Sequence, residues 1–300
     1  MNLRQLEYFL AVADEGSFTR AAERLLVAQP SLSQQIKMLE KELGGLLLER
    51  LPKGVRLTPA GRAFLPEARA AVTHAASAGR NARSVLGLEA GELEVATVTS
   101  VAFGVLPAAF KTLHERHPAT TIALREYTHR DALEDAVRTG VGDIAVGPRP
   151  MRWHGPVTDL GWEEFVVVLP AADPLAEAGE PIRPGDLAER DWVLFGPDHG
   201  LSVLILDVCA AAGFTPRRTV QTAQVAAAGH LAAAGLGVTV IPGNVVPPGL
   251  DAAVLPLDPA LMRQLAAYSR QDWSPHAAAF VRALRELPWP ALPDPARIIA

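Results

Sequence analysis

The sequence predicts an α/β protein in three parts: a small helical head ending in a strand hairpin, one long helix, and a large region of alternating strands and helices. Three observations carry this reading. Residues 1–58 repeat apolar side chains at helical spacing between short turns and finish on a strand–turn–strand pattern. From Pro59 to about Leu88 the apolar residues thin to a narrow seam along one continuous segment. Beyond Gly91, short apolar runs alternate with amphipathic stretches, the texture of parallel sheets joined by crossover helices. A chain of 300 residues is also roughly twice the size of a single domain, so two or three folded units are expected.

Leu3, Leu6, Phe9, Leu10 and Ala13 lie on one face of a first helix, residues 3–14. Gly16-Ser17 breaks it, and Ser17 caps a short second helix, Phe18 to Leu26, whose Ala21 and Ala22 are small enough for another helix to cross closely. After the turn Val27–Gln29, Pro30 stands where a first helical residue should, because its missing N–H has no partner there in any case. Leu32, Ile36, Leu39 and Leu43 continue that third helix until Gly44-Gly45 stops it. Residues 46–58 read as two strands with Pro52-Lys53-Gly54 at the tip. In the long helix, Leu65, Ala68, Val72, Ala75, Ala82, Val85 and Leu86 form a stripe too thin to fold alone, as expected of a helix packing on a copy of itself. Further on, the expected strands are Leu93–Val98, Thr121–Glu126, Asp143–Gly147, Phe165–Leu169, Trp192–Phe195, Thr219–Gln221 and Val238–Ile241. The helices between them include Ala102–His117, Arg130–Thr139 and Leu201–Ala212. The proline-rich end around Trp289–Pro295 is expected to be extended or frayed.

Apolar residues make up 49% of the chain and charged residues 20%, enough to build ordinary cores. The net charge of −5 argues against a general polyanion binder, but it is unevenly distributed. Residues 1–65 hold nine basic and seven acidic side chains; the remainder holds 19 and 26. Whatever contacts an anionic surface is therefore expected to be N-terminal. A single Cys209 excludes an internal disulfide and a Cys-based zinc site. No secretory signal is visible, and the weakly polar stretch Ala223–Pro242 is too dilute to span a bilayer, so the expected compartment is the cytoplasm, with no membrane partner.

Two short helices joined by a tight turn, the second polar at its start, have the shape of a helix-turn-helix. Leu32, Ile36 and Leu39 would face inward, while Gln29, Ser31, Ser33, Gln34 and Lys37 face outward. Gln can pair bidentately with adenine, Lys reaches guanine acceptors, and Ser takes a base edge or a phosphate. Arg50, Lys53, Arg56 and Arg62 follow with no acid among them, the charge expected of a wing lying along phosphates. The candidate DNA contacts are Gln29, Pro30, Ser31, Ser33, Gln34, Lys37, Arg50, Lys53, Arg56 and Thr58.

The run from Leu3 to Leu65 closely resembles the N-terminal winged helix of LysR-type transcriptional regulators. Gly16-Ser17-Phe18, Ala21-Ala22, Gln29-Pro30-Ser31-Leu32-Ser33, Ile36, Leu39-Glu40, Leu43-Gly44, Glu49-Arg50 and Leu57-Thr58-Pro59-Ala60-Gly61 all fall at the family spacing. Leu48 departs from it, standing where relatives usually carry Phe. The resemblance continues more loosely through the stretches around Leu106–Pro118, Gly142–Gly147 and Ala232–Pro242. It implies a winged helix-turn-helix over 1–58, a dimerising linker helix over 59–89 and a two-lobed, periplasmic-binding-protein-like effector domain. The first lobe would span 91–160 plus 268–300 and the second 161–267. It further implies a homodimer or homotetramer on an inverted-repeat operator of double-stranded DNA, acting on RNA polymerase, with a small-molecule effector bound between the lobes.

In open α/β lobes a ligand lies beyond the carboxyl ends of the strands. Thr99 and Ser100 follow the first strand at a helix start, where a carboxylate or polar oxygen can be held, and Thr128 follows the second strand. Family analogy adds Phe195, Gly196 and Pro197 and, after the strand Thr219–Gln221, Thr222 and Gln224. Relatives that bind carboxylates often carry Arg in the loop that here reads His199-Gly200-Leu201-Ser202; Arg149 is the alternative cation.

Rival readings are an enzyme, a solute-binding protein and a DNA-binding regulator without a small effector. Asp198, His199 and Ser202 stand close in sequence but lack G-x-S-x-G, and Gly235-Leu236-Gly237 lacks the third glycine of a dinucleotide fingerprint. The eight His show no metal-binding spacing. No catalytic residue, metal or cofactor is expected.

Overall fold

The computed structural model describes residues 1–51, 54–85 and 91–299, so Pro52, Lys53 and Leu86 of the expected tip and seam lie outside the described residues. The chain forms two compact units, one built on the head and the long helix, the other on the alternating region.

In the first unit, α1 (Leu3–Glu15) opens with a reciprocal cap: Asn2 Oδ1 accepts from the Gln5 N–H and Gln5 Oε1 from the Asn2 N–H, each at 3.0 Å. Gly16, left-handed at φ +60°, ends it. α2 is shorter than expected, Phe18–Arg24, because Leu26 turns left-handed at φ +55°. Val27 N–H then bonds Ala22 O and Leu26 N–H bonds Glu23 O, the paired bonds of a Schellman stop. α3 (Gln29–Leu43) carries Pro30 in its first turn and buries Leu32, Ile36 and Leu39 against Phe9, Val12 and Ala21. β1 (Leu48–Leu51) and β2 (Gly54–Leu57) form an antiparallel hairpin. It is positioned by the buried Glu40, whose Oε1 accepts from the N–H groups of Leu47 (2.9 Å) and Leu48 (3.1 Å).

The long helix α4 runs Pro59–Val85. Phe64, Leu65, Ala68, Ala71 and Val72 pack on the head's core, and Phe64 meets Phe9 edge-on at 5.2 Å. The N-terminal half of the seam is thus covered within the chain.

The second unit comprises β3 (Glu92–Val98), α5 (Thr99–Gly104), α6 (Leu106–Arg116), β4 (Thr121–Tyr127), α7 (Arg130–Arg138), β5 (Ile144–Pro148) and β6 (Val157–Pro170). It continues through α8 (Pro174–Ala178), β7 (Asp191–Phe195), α9 (Gly200–Ala211), β8 (Arg217–Thr222), α10 (Val225–Ala233) and β9 (Thr239–Pro242). The last elements are β10 (Ala252–Tyr268), α11 (Pro275–Arg285) and β11 (Ala296–Ile299). The expected helix Ala102–His117 is two helices: Pro107 lies in the first turn of α6 and cannot continue α5.

The main sheet runs β4-β3-β5-β10-β6-β9, with β11 beside β10. β3, β4 and β5 are parallel, as expected, but β10 is antiparallel to both β5 and β6 and β9 is antiparallel to β6. The wholly parallel expectation is therefore corrected. β6 and β10, 14 and 17 residues long, are each shared by two cores. One core contains Leu93, Ile144, Leu265, Tyr268 and Phe280; the other contains Phe165, Val167, Trp192, Ile205 and Val240. β7 and β8 form a parallel pair, and β7 joins the start of β9 through Val193 N–H to Val238 O (2.9 Å) and Val238 N–H to Asp191 O (2.7 Å). Gly237 makes that approach possible, since a Cβ there would lie 2.6 Å from Asp191 O. Gly235-Leu236-Gly237 is a helix stop and a close crossing, with no phosphate cradle. Among the described residues no helix is long and apolar enough to cross a membrane.

Candidate functional site

On the head, α3 turns Pro30, Ser31, Gln34 and Lys37 fully to solvent, with Gln29 and Ser33 half-buried beside them. That outward face follows from three inward positions, Leu32, Ile36 and Leu39, at helical spacing. Arg50 is held against α3, donating to Ser33 Oγ at 2.7 Å and stacking 4.3 Å over the Phe18 ring. It extends the helix face more than the hairpin edge. Arg56 lies 2.7 Å from Glu49, cross-strand and exposed, so the wing's positive charge is partly offset by an acid just outside the all-basic run. Thr58 is committed inside the fold: its Oγ1 donates to Leu46 O (2.7 Å) and accepts from the Gly61 N–H (3.0 Å), capping α4 and tying it to the hairpin.

The second unit contains a cavity of about 500 Å³ at the carboxyl ends of β3, β4 and β7. Thr99, Ser100 and Thr128 line it, as expected. Thr99 Oγ1 donates to Tyr127 O at 3.1 Å, and Ser100 Oγ accepts from Arg263 Nη2 at 3.2 Å, so both hydroxyls also have structural work. Phe195, Gly196, Pro197, Thr222 and Gln224 are not among the lining residues. Phe195 is buried behind the wall, its ring stacked on His199 at 4.6 Å. Gly196 N–H bonds Thr222 O, and Thr222 Oγ1 accepts from the Gln224 N–H, so these residues hold the loops beside the cavity. Arg149 is paired with Asp159 at 2.8 Å on the surface and does not reach the cavity.

Residues not assigned to the site from the sequence supply its donors. His199, 5% exposed, caps α9 by accepting the Leu201 N–H at Nδ1 (3.2 Å), which leaves the proton on Nε2. Burial first, then the neighbouring His129 and Arg263, lowers its pKa to about 4, so it is a neutral donor at pH 7. Its Nε2 is buried with no acceptor. Arg263 is itself buried, its guanidinium on Glu163 Oε2 (2.8 Å from Nε), while Asn244 Nδ2 donates to Glu163 Oε1 at 3.0 Å. Glu164, its neighbour, is only half-buried. Arg130 and the C-terminal Arg297 complete the cationic lining. Gly200 N–H bonds Thr128 O across the cavity at 2.8 Å, and a Cβ on Gly200 would lie 3.1 Å from that oxygen.

The arrangement has the character of a binding site. Asp198 is exposed, and His199 Nδ1 is committed to the Leu201 amide, so the Asp-His-Ser grouping is a cap. Cys209 is buried and its thiol is pushed up to about 12 by that burial, far from a reactive thiolate. Among the described residues no cluster of three His, Cys, Asp or Glu could hold a metal ion.

Known proteins place the chain. A family model described as the bacterial regulatory helix-turn-helix protein, lysR family, matches residues 3–62, and one described as the LysR substrate binding domain matches residues 86–288. The HTH-type transcriptional regulator ClcR of Pseudomonas putida is 33% identical over 248 residues, covering 82% of this chain and 84% of the relative. The regulator ShiR of Corynebacterium glutamicum is 37% identical over 246 residues, covering 80% and 82%. Among solved structures, the LysR family regulator CbnR superposes at TM-score 0.71 with 26% identity, covering 95% of this chain and 98% of that one. CbnR complexed with its target DNA gives 0.70 at the same identity, covering 95% and 99%. The chain belongs to the LysR family of DNA-binding transcriptional regulators, with a lysR-type helix-turn-helix head followed by a LysR substrate-binding domain.

Proposed function

We propose that this regulator reads an inverted-repeat operator through α3 and is switched by a small molecule seated in the cavity of its second unit. The observation that carries the effector reading is the cavity itself. Its volume of about 500 Å³ suits a small metabolite, and its wall combines hydroxyls, cations and a buried neutral donor with apolar side chains. Thr99, Ser100 and Thr128 contact the effector directly; Phe195, Gly196, Pro197, Thr222 and Gln224 support the wall behind them. The lobes that close on it are 91–160 plus 268–300 and 161–267.

Gln29, Pro30, Ser31, Ser33, Gln34 and Lys37 enter the major groove. Arg50, Lys53 and Arg56 meet phosphates, and Thr58 positions the wing. The linker helix, 59–89, joins two copies so that two α3 helices lie about 34 Å apart on one face of the duplex. Dimers pair into tetramers that bend the DNA between sites, and lobe closure changes that bend and the access of RNA polymerase. The protein works in the cytoplasm, carries no cofactor and catalyses no reaction. Footprinting with and without ligands that raise the thermal stability of the protein tests the mechanism; stabilisation grows as RT ln(1 + [L]/Kd). An altered footprint or bend is expected, and an identical footprint from every stabilising ligand would overturn it.

A further inference from the structure

The family match ends at residue 288, and beyond it the chain places a short strand, β11, on the cavity wall. β11 runs parallel to β10, pairing Ala296 with Ala260 and Ile299 with Arg263. That register seats Arg297 and Ile299 on the lining. We propose that this C-terminal strand makes the cavity selective for an oxyanion, a small carboxylate with an apolar body, by bringing Arg297 to a wall that already holds the buried, unpartnered donors His199 Nε2 and Arg130 Nη1. The inference rests on the effector reading of the same cavity.

Three features point to an anion. Arg263 is neutralised by Glu163, so it adds no free charge, whereas Arg297 has no acidic partner among the described residues. Arg130 has Glu134 at 3.6 Å and Asp131 at 3.8 Å from Nε, yet Nη1 is buried without an acceptor. His199 stays neutral down to about pH 4, so its Nε2–H is a fixed donor with no lone pair to offer. A buried donor without an acceptor is costly, and a charged oxygen satisfies two such groups better than a neutral one. The two acids on the lining, Asp131 and Asp207, are both exposed, which leaves the interior to the donors. Leu201, Leu204 and Ile299 provide the apolar remainder.

The test titrates the full chain, by calorimetry and thermal shift, with small aliphatic and aromatic mono- and dicarboxylates, each beside its amide and a set of neutral metabolites. At least one acid is expected to bind and its amide to bind at least about tenfold more weakly. Arg297→Gln should weaken the acid by about tenfold and Arg297→Lys should restore part of that, while the melting point without ligand stays that of the parent. A chain ending at Pro295 should lose the same selectivity. Equal binding of acid and amide, or an Arg297→Gln affinity equal to the parent's, overturns the assignment. Neutral compounds binding where no acid does overturns the oxyanion reading and keeps the effector. No binding in either class removes the effector reading and this inference with it.

Discussion

Replacing Glu163 by Ala strands a charge. Glu163 is 2% exposed and Arg263 6%, and the pair joins β6 to β10 where both cores share those strands. The carboxylate accepts from Arg263 Nε at 2.8 Å, from Arg263 Nη2 and from Asn244 Nδ2 at 3.0 Å. Without it the guanidinium keeps only Ser100 Oγ, at 3.2 Å, and the face of Phe165, 5.1 Å from its ring centre. Breaking a buried pair from one side costs about 3–5 kcal/mol, mostly the penalty of an uncompensated buried charge. For a unit of this size each kcal/mol lowers Tm by about 2–4 °C, so a drop of roughly 6–20 °C is expected. All five tryptophans, residues 153, 162, 192, 273 and 289, lie in the second unit, so their fluorescence reports its unfolding separately from the head. The double variant Glu163→Met with Arg263→Met should recover to within about 1 kcal/mol of the parent, because two apolar side chains need no compensation. A single variant melting within about 1 kcal/mol of the parent, or a double variant as unstable as the single, would refute the reasoning.

Leu26 holds a left-handed φ of +55° with its side chain 93% exposed, so Leu26→Asn should raise the head's stability by about 1 kcal/mol in urea unfolding; no gain would mean the turn is unstrained. His199 binds its proton more readily unfolded than folded. Stability of the second unit should therefore fall as pH drops from 6.5 towards 4, by up to about 1.4 kcal/mol per pH unit, and His199→Gln should flatten that slope; parallel curves would count against it. Gln29→Ala should weaken operator binding by about 1–3 kcal/mol and relax preference at one base pair, measured by competition with single-base operator variants; an unchanged preference would move the reading face elsewhere. Arg56→Ala should weaken all DNA sequences alike and lower the salt slope by less than about one unit, since Glu49 already offsets part of its charge; Glu49→Gln should steepen it.

The head was legible almost residue by residue because its information is local. Leu32, Ile36 and Leu39 set a helix face through spacing alone, and Gly16 and Gly44 stop helices with backbone angles that other residues adopt at a cost. The exception is Leu26, where the stop uses a residue that gives no such signal. β10 escaped notice for the opposite reason: Pro256 and Pro259 break its pattern, and its partners stand about a hundred residues away in β5 and β6. Arg263 went with it, since a residue on an unrecognised strand has no assignable face. Arg297 lay past a proline-rich stretch that reads as a frayed end.

Periodicity, caps and a charge bias between the two ends of the chain were enough to establish a DNA-reading head, a long helix and an alternating α/β region, because each is written within a dozen neighbouring residues. The cavity's chemistry came only from distant segments meeting. His199 becomes a neutral donor when α9 buries it, Arg263 is neutralised by Glu163 a hundred positions earlier, and Arg297 reaches the wall because β11 adds to β10. Burial and partner choice set the charge state of these side chains, and both are properties of packing that no local pattern encodes.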